Sequence, residues 1–250
     1  MKKTTLSLLI PFLAGIFTTL GYLPTYIPKK YQDVIIPFSL SFSAGIMLII
    51  SSFSLIPEAF HYLSNQLTFP VIFILLIMIN LGFILSLSID TKLEEKINQN
   101  KLYKLGILSI ITLIIHNIPE GMIAYLTIAN NLKLGVTLSL AIALHNIPEG
   151  IAIAIPIYYS TANRKRAFIY TIISGFSEFL GAILIHLFFH NTINLFIMSS
   201  ILSVTAGIMI HLALFDLLPN SIVYNNRKTT IIGFILGIVI MLICIFSFQI

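Results

Sequence analysis

The chain has 250 residues and a mass of 27.9 kDa, with 14 Lys and Arg against 9 Asp and Glu for a net charge of +5. With 58% hydrophobic and 9% charged residues and a mean hydropathy of +1.01, it is far below the roughly 25% charge of soluble domains and lacks the polar surface to cover a globule in water. A soluble enzyme, a DNA-binding domain and a disordered tail are excluded. Most of the chain must have lipid as its solvent.

A membrane-spanning helix needs about 20 mostly apolar residues. Eight such runs succeed one another, at 4–27, 34–60, 67–89, 105–128, 134–159, 167–189, 192–220 and 230–250. The first begins after Met1-Lys2-Lys3. It is read as a span because it lacks an A-x-A-like cleavage site and continues past Gly21; a cleaved signal is the alternative. The second carries a polar stripe, Ser43, Met47, Ser51, Ser54 and Glu58, and ends before His61, read as a solvated loop residue. After the third comes the only sizeable loop, 90–104, charged and free of histidine. The fourth and fifth each contain His-Asn-Ile-Pro-Glu-Gly, at 116–121 and 145–150. The sixth holds Ser174-Gly-Phe-Ser-Glu-Phe-Leu-Gly181 with His186 and His190 beyond it, the seventh His211 and Asp216, and the eighth the single Cys244. One cysteine permits no intrachain disulfide and all but excludes thiolate metal chemistry.

The basic residues sort by loop. Lys29, Lys30, Lys92, Lys96, Lys101, Lys104, Arg164, Lys165, Arg166, Arg227 and Lys228 fall on one side, and Lys2, Lys3 and Lys133 on the other. That bias predicts a multi-pass protein of the cell membrane with the first group in the cytoplasm and both termini outside.

The doubled hexapeptide lies on consecutive, antiparallel spans, which relates its copies by a pseudo-two-fold axis in the membrane plane. In addition, 40–57 (LSFSAGIMLIISSFSLIP) matches 202–219 (LSVTAGIMIHLALFDLLP), and Gly15, Leu20 and Gly21 match Gly175, Leu180 and Gly181 more weakly. The expected fold is an all-α integral membrane protein, one transport domain over 1–250. Its eight transmembrane helices are arranged 3+2+3, with spans one to three and six to eight as inverted repeats around the helix four and five pair.

Asp33, Asp90, Glu94 and Glu95 are read as loop residues, whereas Glu58, Glu120, Glu149, Glu178 and Asp216 lie within spans. Five ionised acids in lipid would cost on the order of 10 to 15 kcal/mol. No lysine or arginine within the spans answers them, and imidazole, carboxylate and amide together form a shell for a divalent cation. His116 and Glu120 are four apart, as are His145 and Glu149, so each pair projects from one helical face and can chelate an ion. Asn117 and Asn146 reach the same glutamates, giving two adjacent sites bridged by Glu120 and Glu149. Pro119 and Pro148 should kink their helices beside the ligands, and Gly121 and Gly150 allow close backbone approach. Serines and threonines of the stripes either line a path or bond to backbone, and His186, His190 and His211 are open between packing and pathway.

At these residues the chain resembles the ZIP (Zrt/Irt-like) metal-ion transporters, specifically the bacterial ZupT-type branch. The likeness runs over nearly the whole chain: His-Asn-x-Pro-Glu-Gly twice, Ser-Gly-x-x-Glu-x-Leu-Gly in span six, and Ala-Gly-Ile-Met followed by Leu-x-Pro-Glu-Ala in span two. It implies uptake of divalent transition metals into the cytosol by alternating access, a helix bundle moving against a scaffold around a binuclear centre. It assigns His116, Glu120, His145 and Glu149 to a first metal site, Asn117, Asn146 and Glu178 to a second around the shared glutamates, and Met47 to a place near the first. Phe179 stands where many relatives have proline, and the histidine-rich loop that many carry before span four is missing, so loop metal buffering is not expected.

The resulting expectation is a transporter of Zn²⁺ and Fe²⁺, extending to Mn²⁺, Co²⁺ and Cd²⁺, with the metal as cargo and no separate cofactor. A divalent ion entering a cell at −100 mV gains roughly 4.6 kcal/mol, and no P-loop for ATP is present. The partners are metal ions and the bilayer, with no nucleic acid and a homodimer left open. The alternatives are a proton or organic-cation carrier using the buried acids, or an intramembrane hydrolase. The second lacks His-Glu-x-x-His, because Asn117 and Asn146 occupy the place of the glutamate base.

Overall fold

A computed structural model describes residues 2–63, 68–96, 101–189 and 195–248. The described residues contain eight helices long and apolar enough to cross a membrane: Thr4–Tyr26, Lys29–Leu63, Phe69–Leu93, Lys101–Ala129, Leu132–Thr161, Arg164–Phe188, Leu195–Ile222 and Arg227–Ser247, numbered span 1 to span 8 in chain order. Spans 2, 4, 6 and 8 each begin on a Lys or Arg. Helical hydrogen bonding thus extends from the apolar run into the interfacial zone, where long basic side chains reach the polar layer.

That extension corrects five readings from the sequence. Asp33 begins the helix Gln32–Ile50, Asp90, Glu94 and Glu95 belong to the helix Phe69–Lys96, and His61, although exposed, is in the helix Ile56–Leu63. A charged residue ends an apolar run without ending a helix. His190 lies outside the described residues.

Two groups of helices form. Span 2 packs on span 8 and span 3 on span 7, while span 4 packs on spans 5 and 6 and span 1 lies against all three. Spans 2 and 7 join the groups through contacts with spans 5 and 4. Spans 3 and 8 are the least buried, their leucine, isoleucine and phenylalanine faces turned outward as lipid requires, and spans 2 and 5 are among the most buried.

Backbone proximity fixes the second group. A Cβ on Gly15 would strike the carbonyl of Gly175, and one on Gly175 the carbonyl of Gly15. The same obstruction joins Gly21 to Gly150 and Gly181 to Ile118. Helices that cross this closely gain dispersion contacts where lipid offers no hydrophobic drive to association. In the other group Gly45 of span 2 meets span 8, and Gly207, its counterpart in the 40–57 and 202–219 match, meets span 3. Both matched stretches also run into π-helical turns, Ser51–Leu55 and Leu212–Leu217.

Candidate metal centre

Spans 4 and 5 run as unbroken α-helices through Pro119 and Pro148, over Lys101–Asn130 and Leu132–Thr161. Their hexapeptides face each other, and His116, Glu120, His145 and Glu149 are all buried. The contacts cross between helices as much as they run along one. His116 Nε2 lies 3.3 Å from Glu120 Oε1 on its own helix and 3.0 Å from Glu149 Oε1 on the next. His145 Nε2 lies 3.0 and 3.2 Å from the two oxygens of Glu120. Ligand atoms of His116, His145 and Glu149 all lie within 4.8 Å of one another.

These spacings match a coordination shell. Bonds of about 2.0–2.1 Å to a tetrahedral ion place neighbouring ligand atoms roughly 3.3 Å apart, and the separations here run from 3.0 to 3.3 Å. A cation between Glu120 and Glu149 would offset the mutual repulsion of the two carboxylates. Beyond these contacts, Glu149 Oε2 and His116 Nδ1 have no hydrogen-bond partner.

Asn117, Asn146 and Glu178 gather beside this group, all fully buried. Asn117 Nδ2 donates to the Ser174 carbonyl at 3.0 Å, and Asn146 Nδ2 donates to Glu178 Oε2 at 2.8 Å and to the Ala14 carbonyl at 3.1 Å. With their amide hydrogens engaged, Asn117 Oδ1, Asn146 Oδ1 and Glu178 Oε1 retain lone pairs without partners. Spans 1 and 6 thus orient the amides, a role for the Ala14 and Ser174 main chain that no side-chain pattern announces. A Cβ at Gly121 would meet the Glu178 carbonyl, so this glycine lets span 6 carry its carboxylate against span 4. Phe179 leaves the helix Arg164–Leu184 intact and packs on Phe12, ring centroids 5.2 Å apart.

Other candidates divide. Met47 is fully buried in span 2 and does not line the narrow space that reaches Glu120 and His145. Ser43 Oγ donates to the Pro148 carbonyl at 2.7 Å and Ser51 Oγ to the Met47 carbonyl at 2.8 Å, whereas Ser54 and Glu58 face open space. Thr112 bonds to the Leu108 carbonyl and Thr127 to that of Ile123. His186 pairs with the Tyr125 hydroxyl at 2.7 Å, away from the centre.

A cavity of about 310 Å³ opens on the face opposite the basic loops, lined by Ser54, Glu58, His61, Tyr62, Thr127 and Thr137 among others. Through Ser54, Glu58 and Leu138 it adjoins a narrower space of about 30 Å³ that reaches Glu120 and His145. On the basic face a cavity of about 230 Å³ is lined by Asp90, Lys101, Lys104, Leu105, Asp216 and Asn220, among others. It shares no lining residue with the space beside the centre. Lys104 Nζ pairs with Asp90 at 2.8 Å there, and His211 Nδ1 lies 2.9 Å from the Ser86 hydroxyl and 3.5 Å from Asp216. Asp90, His211 and Asp216 bring ligand atoms within 4.8 Å of one another. Sequence reasoning missed this cluster by assigning Asp90 to a loop.

Comparison with known proteins gives a consistent result. The family profile described as ZIP Zinc transporter matches residues 92–245. The chain is 33% identical over 250 residues to the zinc transporter ZupT of Streptococcus mutans, covering 94% of this chain and 95% of that protein. It is 33% identical over 258 residues to the zinc transporter ZupT of Chlorobium luteolum, with 96% and 97% covered. To the zinc transporter ZupT of Clostridium perfringens it is 30% identical over 278 residues, with 99% and 98% covered. The profile match spans the ligand-bearing helices and the relatives align from end to end: this chain belongs to the ZIP zinc transporter family.

Proposed function

We propose that the chain, as one transport domain over 1–250, is a transporter rather than an enzyme and carries Zn²⁺ across the cell membrane into the cytosol through the centre between spans 4, 5 and 6. The observation that carries the reading is the enclosed group in which ligand atoms of His116, His145 and Glu149 lie within 4.8 Å of one another, with Glu120 against both histidines and no lysine or arginine among the described contacts. Asn117, Asn146 and Glu178 supply a second, oxygen-rich position beside it. Oxygen and imidazole donors without thiolate suit Fe²⁺, Mn²⁺ and Co²⁺ as additional cargo, with affinity following the Irving–Williams order, and Cd²⁺, a softer ion, would enter as a competitor of Zn²⁺. The resemblance also points to Met47, fully buried in span 2, as a residue of the first position.

The charge bias supports uptake with both termini outside, in which case the 310 Å³ cavity faces the exterior. The matched glycine contacts and π-turns of spans 2 and 7 support inverted repeats. The exposed apolar faces of spans 3 and 8 offer surface for a homodimer, which cross-linking in native membranes tests directly.

The test is bound metal and flux together. Purified protein, loaded with zinc and desalted, should carry stoichiometric zinc by plasma mass spectrometry. Glu120→Gln or Glu149→Gln, inserted at wild-type levels, should lose both bound zinc and uptake into liposomes. Wild-type uptake in either variant would overturn the assignment. Absence of bound metal in the wild type after loading would favour a proton or organic-cation carrier instead.

A further inference from the structure

Of the acids within the spans, Glu120, Glu149 and Glu178 gather at the centre. Glu58 and Asp216 stand at opposite mouths of the molecule. These mouths are built from corresponding positions. Phe53, Ser54 and Glu58 align with Phe215, Asp216 and Asn220 when the 40–57 and 202–219 match is continued by one residue. Leu134 and Thr137 precede His145 by the same intervals by which Leu105 and Leu108 precede His116. Each of these residues lines its own cavity.

Corresponding frames hold different charges. On the basic face Lys104 pairs with Asp90, and His211 approaches Asp216. On the opposite face no lysine or arginine lines the cavity among the described residues. The Glu58 carboxylate there accepts a hydrogen bond from the Tyr62 hydroxyl and lies close enough to Glu120 for their charges to interact. Ser54 one turn below, His61 about one turn above and Thr137 across the cavity add hydroxyl and imidazole groups to the same space. Glu58 and Ser54 are also the polar residues shared with the passage to Glu120 and His145.

We infer that Glu58 is an antechamber ligand: it holds an incoming divalent cation that still carries most of its water, and passes it to Glu120 and His145. The inference rests on the proposed transport of Zn²⁺ through the centre. A single carboxylate surrounded by hydroxyls and one imidazole binds too weakly to retain the ion, which a site on a conduction path requires. A negative charge in a narrow mouth with apolar walls also raises the local cation concentration.

The experiment is zinc uptake by the full chain in liposomes. Glu58→Gln keeps the shape and the Tyr62 contact but removes the charge. It should raise KM for zinc roughly 3- to 10-fold at unchanged maximal rate, with wild-type zinc retained at the centre, and Glu58→Asp should restore most of the loss. A merely structural role would lower the maximal rate or the yield of folded protein and leave KM in place. An unchanged KM in Glu58→Gln, beside an active wild type, overturns the proposal. A second measurement is independent of flux. With Glu120→Gln and Glu149→Gln together removing the centre, a calorimetric zinc titration should find one weak site that disappears on adding Glu58→Gln, and a weak site that persists overturns the proposal. A wild type that retains no zinc after desalting and carries none would refute the transport reading instead, and the titration, which reads weak binding, would still score Glu58.

Discussion

Asn146 shows how much of the centre depends on side chains that orient others. Its amide hydrogens are spent on Glu178 and on the Ala14 carbonyl, which aims its oxygen where no other described group answers it. Asn146→Ala removes the unpartnered oxygen proposed as a ligand and releases Glu178 at once. It should weaken zinc binding by about 10- to 100-fold, the usual loss when a group that positions a ligand is deleted, as measured by competition with a chelator. The Glu120 carboxylate, shared by two histidines, has no such margin, and its replacement should abolish retention. At this scale the sequence is highly informative. Histidine and glutamate four apart, twice, announce a chelating face. What it does not contain is the exchange of partners between helices, because pairing of His116 with Glu149 is a property of how spans 4 and 5 face each other and not of either one.

The stripe Ser43, Met47, Ser51, Ser54 and Glu58 marks the limit of reading elements by period. Under regular α-helical spacing these residues share one face. The π-turn at Ser51–Leu55 inserts extra residues per turn and rotates the helix beyond it. Ser43 and Ser51 end bonded to carbonyls while Ser54 and Glu58 look into a cavity. No residue in that stretch signals the turn, so periodicity alone does not divide the stripe. Helix crossings are more legible, since glycines at 15, 121, 150 and 175 are all points of backbone contact. Gly175→Leu should therefore force spans 1 and 6 apart, at about 1–3 kcal/mol for an overpacked contact. A clear fall in the temperature at which the detergent-solubilised protein loses its monodisperse elution peak would register it. An exposed position on span 8, such as Ile235→Leu, should leave that temperature unchanged.

For the whole molecule, composition dictates the solvent and the number of crossings, and the eight described spans coincide closely with the eight apolar runs. Orientation is a matter of charge placement, and it has a direct check. In a Cys244→Ser background, Lys133→Cys should react with a membrane-impermeant thiol reagent in intact cells, and Lys165→Cys only after permeabilisation. The opposite pattern would reverse the direction assigned to both cavities. The grouping of spans 1, 4, 5 and 6 against 2, 3, 7 and 8 is only partly visible in the sequence. The repeats pair span 1 with span 6 and span 2 with span 7 by symmetry, but symmetry does not say which helices touch.

The two kinds of seam in this protein differ in what they allow. Within the ligand-bearing group, backbone meets backbone at Gly15 and Gly175, Gly21 and Gly150, and Gly181 and Ile118, like keys in slots. Between the groups, no glycine contact of this kind joins spans 2 and 5 among the described residues, and the Ser43 hydroxyl donates across the seam to the Pro148 carbonyl. A keyed joint resists sliding, whereas a greased one permits it. Displacement at the second seam would leave the separations among His116, Asn117, Glu120, His145, Asn146, Glu149 and Glu178 as they are, because all seven lie on spans 4, 5 and 6 within the keyed group.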